Sequence, residues 1–237
     1  MPLEYVDDAT PARWIADRLH PFAQDAGAIV PPGFEAYARI FHPATQSAGV
    51  RQRPVTWREI AVANGRVHHS EMQFGALVGR SALERRSQPG LWDGFPKTGS
   101  LPLELAQVLV QVLRGHTSTP SRCWFAAWEG WGGWGGGMKG RPTFTIPGRG
   151  YYLAAGPLTA ALDTVGVPAP FYQSASLWWP NDQAWCVATE VDFDWTYVGG
   201  STQCITAVLE DPELEALPAR LSDGVTEASD PINPAPR

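Results

Sequence analysis

Three closely spaced carboxylates, Glu190, Asp192 and Asp194, are the clearest group of residues that could do chemistry. We predict a strand over residues 185–193, and alternate side chains of a strand point to the same face. The three acids would therefore lie together, where their mutual repulsion would raise at least one pKa. Such a group needs water, arginine partners or a hard cation such as Mg²⁺ or Ca²⁺. It is a candidate catalytic site, and these acids are the candidate metal ligands.

The same acids also fit a purely structural role. Residues 51–86 contain seven arginines and only three glutamates. An acidic strand end could face this basic segment, because surface carboxylates are easily accommodated by water and arginine. A structural ion-pair network, a metal or acid/base site and a surface that recognises a partner therefore remain alternatives.

A second candidate site is aromatic. Residues 123–137 contain four tryptophans and six glycines, a composition that predicts a strand running into a flexible loop with large flat side chains. We take Trp128, Trp131 and Trp134 as candidate ligand-binding residues, with Glu129 as their polar neighbour. Glu129 is also a candidate catalytic residue, since acids beside aromatic rings are typical of glycoside-cleaving clefts. Structural packing is the alternative for all four residues.

Other motifs give no cofactor site. The glycine run is followed by residues 138–141 and another predicted strand, whereas a phosphate-binding loop leads into a helix and carries Lys followed by Ser or Thr. His68 and His69 lack metal-ligand spacing and a third ligand. The three cysteines show no short pairing motif and are expected to be buried thiols. We therefore predict no cofactor.

The sequence predicts part of the secondary structure that must position these residues. Apolar spacing and capping residues predict helices near residues 10–20, 56–64, 100–115, 157–163 and 201–210. Thr56 and Glu59 stand at capping-box spacing. Strands are predicted between residues 34 and 193, among them 123–128 and 151–155. The fold class that follows is α+β, with an antiparallel or mixed sheet packed by about five helices and tryptophans between the layers.

Composition limits the partners. Of the 237 residues, 44% are apolar, and the net charge is −6. Residues 182–237 hold eleven acidic groups against two arginines, a balance that would repel nucleic acid. The first twenty residues contain no long apolar run, so the sequence predicts neither a signal peptide nor a membrane span there. The sequence therefore predicts a cytoplasmic protein with neither a nucleic-acid nor a membrane partner.

Domain organisation follows from the same composition. We predict one domain over residues 1–221, either undivided or built as two lobes that meet near 95–100. Residues 222–237 are rich in Ser, Asp and Pro and are predicted to form a flexible acidic tail. The sequence does not indicate an oligomeric state.

Several motifs together resemble a family of uncharacterised, Trp-rich bacterial proteins of similar length. The segments that carry the resemblance are His116-Thr117-Ser118-Thr119-Pro120, Cys123-Trp124-Phe125, Trp128-Glu129-Gly130, Leu177-Trp178-Trp179-Pro180, Trp185-Cys186-Val187-Ala188-Thr189-Glu190 and Tyr197-Val198-Gly199-Gly200-Ser201. It covers most of residues 10–215 and supports the domain boundaries. The family has no assigned activity, so the resemblance implies no catalytic residue.

The function hypothesis follows from a poor catalytic inventory beside an aromatic loop. We expect a non-catalytic binding protein that takes a protein or a small-molecule ligand on Trp128, Trp131, Trp134 and Glu129. The alternative is a hydrolase that uses Glu190, Asp192 and Asp194, either around a divalent cation or in acid/base catalysis. Convergence of these acids in one cleft with Glu129 or a histidine would favour the enzyme.

Overall fold

The computed structural model describes residues 3–21, 25–49, 51–80, 87–134, 138, 140–146, 148–168 and 170–234. Eleven strands lie within these residues: β1 Glu4–Val6, β2 Ala36–Phe41, β3 Ala44–Ala48, β4 Arg51–Val55, β5 Cys123–Trp128, β6 Phe144–Ile146, β7 Arg149–Gly156, β8 Leu177–Pro180, β9 Trp185–Ala188, β10 Trp195–Gly200 and β11 Ala216–Pro218. Five α-helices accompany them: α1 Arg13–Arg18, α2 Trp57–Ala63, α3 Phe74–Val78, α4 Leu103–Arg114 and α5 Thr202–Glu210.

One sheet organises most of the described chain. Its nine strands follow the order β1-β7-β5-β8-β9-β10-β2-β11, with β6 also paired to β7, and β3 and β4 form a separate hairpin. Every pairing is antiparallel. The register of β2 against β10 sets Arg39 opposite Tyr197 and Phe41 opposite Trp195. This register fixes the surroundings of Arg39, which matter for the site described below.

The predicted α+β class is wrong, because the fold is sheet-rich. About 26% of the chain is strand and 23% is helical, and the strands belong mostly to one large antiparallel sheet. Apolar and polar alternation predicts neither the β3–β4 hairpin nor the strand β10. Glycines at the end of β10 resemble a helix cap, but here they lie in a central strand whose backbone is fully paired.

Both faces of the sheet are covered. On one face, α1, α2 and α3 contribute Ile15, Trp57 and Phe74 to a cluster that includes side chains of β2 and β10. On the other face, α4 and α5 contribute Leu109 and Ile205 to a second cluster. Burial of both faces explains the apolar strands, since a sheet covered on both sides has no solvated face to alternate with. The prediction that tryptophans fill the interfaces is confirmed, and five of them are almost fully buried: Trp57, Trp92, Trp178, Trp179 and Trp185.

The predicted helices are confirmed where local signals are strong. Thr56 and Glu59 form both hydrogen bonds of a capping box at the start of α2, and α4 and α5 lie within or close to their predicted bounds. The segment predicted near 157–163 is a short 3₁₀ helix, Leu158–Leu162. None of the described helices is long and apolar enough to cross a membrane.

The described part of the C-terminal segment, residues 222–234, contacts the rest of the domain. Asn233 is buried, and its amide donates to the Val67 carbonyl at 3.0 Å. Asp230 accepts hydrogen bonds from the backbone N–H of Gln73 at 3.2 Å and of Asn233 at 2.8 Å. These contacts hold the segment beside α3, where its residues form part of a cavity wall.

Candidate functional site

The acidic run does not form a strand. β9 ends at Ala188, and residues 189–194, here called the acidic loop, connect it to β10. The loop turns where the Phe193 N–H donates to the Glu190 carbonyl at 3.2 Å. The prediction that Glu190, Asp192 and Asp194 share one strand face is therefore wrong. A turn breaks the two-residue alternation on which that prediction depended.

Glu190 and Asp192 are both paired with one arginine. Arg149, the first residue of β7, donates from Nε to Glu190 Oε1 at 2.8 Å and from Nη2 to Asp192. Its guanidinium carbon also lies 5.1 Å from the centre of the Trp128 ring. Desolvation lowers the pKa of Arg149, but the charges of the two carboxylates outweigh this effect, so its pKa is raised. This is a structural ion-pair network, one of the alternatives left open by the sequence, but its arginine belongs to β7 and not to residues 51–86 as predicted.

Replacing Arg149 with methionine tests this network. The Glu190 side chain is only 11% exposed, so the loss of its ion pair is expected to lower the free energy of unfolding by about 2 kcal/mol. Asp192→Asn is the matched control, because the Asp192 side chain is 72% exposed and its replacement should cost under about 0.5 kcal/mol. Urea unfolding measures both variants. Equal costs for the two substitutions would contradict the assigned roles.

Asp194, the last residue of the acidic loop, lies beside a cavity of about 220 Å³. Aromatic rings line this cavity: Phe74, Phe95, Phe193 and Trp195. Phe193 and Trp195 both line the cavity and are stacked on each other with their centroids 4.4 Å apart. Asp192, Glu227 and Asp194 also line it, and the described lining residues include no Lys, Arg or His. We call this cavity the aromatic pocket.

The carboxyl group of Asp194 is chemically unusual. Desolvation raises its pKa to about 6, against the opposing charge of Arg39. Within the described part of the chain it forms no ion pair. At neutral pH it is therefore a partly buried carboxylate without a directly paired cation. A charge in such surroundings is costly unless something pairs with it.

Arg39 lies behind the pocket in the same core. It is 1% exposed, and its guanidinium carbon is 4.0 Å from the centre of the Trp195 ring and 4.8 Å from that of Phe41. Nη1 donates to the Ser70 carbonyl at 2.9 Å, whereas Nε and Nη2 have no hydrogen-bond partner. The charge of Arg39 therefore stabilises the Asp194 carboxylate at a distance, without forming an ion pair with it.

Residues 128–134, here called the tryptophan loop, carry three tryptophans that mostly contact one another and neighbouring residues of the fold. Trp128 and Trp131 are half-buried and meet edge to face at 5.1 Å. Trp131 packs on Gly166, where an added Cβ would lie 2.6 Å from the Trp131 Cβ. Trp134, also half-buried, donates from Nε1 to the Trp128 carbonyl at 3.2 Å and meets Tyr152 edge to face at 5.0 Å. Residues 135–137 of the glycine run lie outside the described residues.

Glu129 is exposed, and its backbone N–H donates to the Gly150 carbonyl at 3.0 Å. Its carboxylate lies against Gly150, where a Cβ would be 2.2 Å from Oε1.

The tryptophan loop reaches the acidic loop through Gly99, whose φ is +73°. A Cβ at this glycine would lie 2.3 Å from the Val191 carbonyl oxygen and 3.1 Å from the Trp131 ring. The two predicted sites are thus neighbours, although Glu129 does not line the aromatic pocket. Ligand binding by the tryptophan loop stays a prediction.

No group of three His, Cys, Asp or Glu side chains is placed to hold a metal within the described ranges. His68 and His69 instead pair with acids from the C-terminal half, Glu215 at 3.1 Å and Asp230 at 3.0 Å. Sequence reasoning missed the aromatic walls of the pocket and Arg39. One signal was present for Arg39, because a charged residue stands between Tyr37 and Phe41 on the buried face of an apolar strand.

Comparison with known proteins adds no functional assignment, since no family model, curated protein or solved structure matches this chain.

Proposed function

We propose that this protein binds a positively charged organic group, such as a quaternary ammonium or a methylated amine, in the aromatic pocket. The observation that carries the proposal is the Asp194 carboxylate, which meets no cationic side chain among the described residues and lies beside stacked aromatic rings. Aromatic faces attract cations, and rings around an anionic group are the common way to bind an alkylated ammonium. The proposal keeps the predicted binding function but places the ligand in this pocket instead of on the tryptophan loop.

Three properties of the pocket support this ligand class. Its volume of about 220 Å³ is slightly below the usual range for drug-sized ligands, so the group inserted must be small. Its rings offer favourable contact to methyl groups, which a strongly hydrated ion such as Mg²⁺ would not use. The Asp194 carboxylate, which has no ion pair among the described residues, would disfavour anionic ligands.

The hydrolase alternative has one supporting observation. The raised pKa of Asp194 suits a general acid, and Asp192 lines the same pocket as a second carboxyl group. However, neither Glu129 nor a histidine is among the described lining residues, so the convergence expected of an enzyme is incomplete. Loss of p-nitrophenyl glycoside or ester hydrolysis in Asp194→Asn would favour this alternative.

Calorimetric titration with choline tests the proposal directly. Choline and its neutral carbon isostere neohexanol have nearly the same shape, so the difference between them isolates the charge. We expect choline to bind about tenfold more tightly than neohexanol, since a cation over desolvated rings gains about 1–2 kcal/mol. Equal affinities, or no choline binding at millimolar concentration, would refute the proposed function.

A further inference from the structure

A larger cavity shares a wall with the aromatic pocket. It has a volume of about 660 Å³ and is bordered by β2, the β3–β4 hairpin and the start of α4. Phe95 lines both cavities. We call this second cavity the proline groove, because four prolines line it: Pro43, Pro54, Pro102 and Pro212. The partly buried Val108 adds apolar surface in front of the buried Phe41 and Leu105, so the groove is partly apolar next to the proposed cation site.

The charge of the groove is one-sided. Glu104 and Glu213 line it, are exposed and form no ion pair with any described residue. Lys97 also lines the groove, but its ammonium donates to the Tyr172 carbonyl and lies 5.1 Å from the centre of the Tyr172 ring. The charge of Glu104 also acts on this ammonium, but three glutamates, Glu104, Glu213 and Glu215, line the groove against this one lysine, so an incoming ligand meets a net negative potential.

We propose that the natural ligand is a basic peptide segment, with one cationic side chain in the aromatic pocket and its neighbouring residues in the proline groove. This inference rests on the proposed function and names its ligand. Phe95 lines both cavities, so they lie next to each other, and the groove is larger than a small amine alone needs. Basic residues flanking the inserted side chain would lie near Glu104 and Glu213, while apolar residues would contact the prolines.

A capped pentapeptide with a central trimethyllysine, flanked by leucine and arginine, is the probe for this inference. Calorimetry should show that it binds the wild-type protein at least about tenfold more tightly than choline, because the flanking residues add contacts that choline lacks. The double variant Glu104→Gln/Glu213→Gln should weaken the peptide about fivefold, as expected for two exposed charges. The same variant should leave choline affinity within a factor of about two, since neither glutamate lines the aromatic pocket.

The outcomes separate the two proposals. If choline binds but the peptide binds no more tightly, or if the glutamate variants leave peptide affinity unchanged, the peptide inference is wrong and the cation site stands. If neither ligand binds, the cation site itself is refuted. Raising the salt concentration should weaken the peptide more than choline, because the exposed glutamates are screened more strongly than Asp194.

Discussion

Asp194→Asn is expected to stabilise the protein at pH 7.5 by about 2 kcal/mol and to abolish choline binding. The folded-state pKa of this residue is about 6, whereas an unfolded aspartate titrates near about 3.9. Between these values the folded protein binds more protons than the unfolded chain. The contribution of Asp194 to stability therefore falls as the pH rises from about 4 to 6, and the penalty persists at neutral pH. Asparagine carries no charge and removes this penalty.

Urea unfolding at pH 4 and pH 7.5 checks the stability side of this prediction. The difference between the variant and the wild type should be close to zero at pH 4 and should grow to its full value by pH 7.5. Asp17→Asn, at an exposed position on α1, is the control and should change stability by less than about 0.5 kcal/mol at either pH. A variant that is less stable than the wild type at pH 7.5 would show that Asp194 is paired.

Opposite effects on stability and binding would identify Asp194 as a functional residue. A side chain retained only for stability should not destabilise the fold, whereas binding sites commonly keep groups that reduce stability. In choline titrations, Asp194→Asn should weaken binding by at least about tenfold, since it removes the anion nearest the aromatic walls. Asp17→Asn should bind choline as the wild type does.

Trp57→Ala is expected to lower the free energy of unfolding by about 4 kcal/mol. Trp57 is 0% exposed and begins α2, and its ring lies 4.9 Å from Phe41 and 5.2 Å from Phe74. Its Nε1 donates to the His42 carbonyl at 2.7 Å. Truncation would leave a cavity and an unsatisfied buried acceptor where the helical layer meets the sheet. It would also remove one of the rings around Arg39, 5.8 Å from its guanidinium carbon.

Chemical denaturation followed by far-ultraviolet circular dichroism measures this loss. Val62→Ala, on the same helix but 73% exposed, should cost under about 0.5 kcal/mol. A cost below about 1 kcal/mol for Trp57→Ala would mean that this core relaxes to fill the space, contrary to the packing described.

The parts of the fold that were predicted correctly depend on short-range signals. The capping box of Thr56 and Glu59 is formed by residues three apart, and the packing stripe of α4 repeats within one turn. The strands that were missed depend on distant partners. β10 is a strand because β2 and β9 pair with it on either side. Neither partner can be identified from the residues of β10 itself, so the strand is not evident from its local sequence.

In the candidate site, too, the features set by neighbouring residues could be predicted and those set by distant segments could not. Asp192 and Asp194 could be singled out as chemically capable from their spacing, although the alternation argument placed them on one face. The aromatic pocket could not be predicted, because α3, the segment around Phe95, the acidic loop and the C-terminal segment all contribute to it. Asp192 and Asp194 line the same pocket but differ in their partners, because Asp192 pairs with Arg149 whereas Asp194 has no ion pair among the described residues.

The most direct test of the cation site is the choline affinity of the wild-type protein at pH 7.5 and at pH 4.5. Because Asp194 titrates near pH 6, its carboxylate should be largely protonated at the lower pH. We expect choline affinity to fall by at least about tenfold between the two conditions, while neohexanol affinity stays constant. Choline affinity that is the same at both pH values would contradict the account.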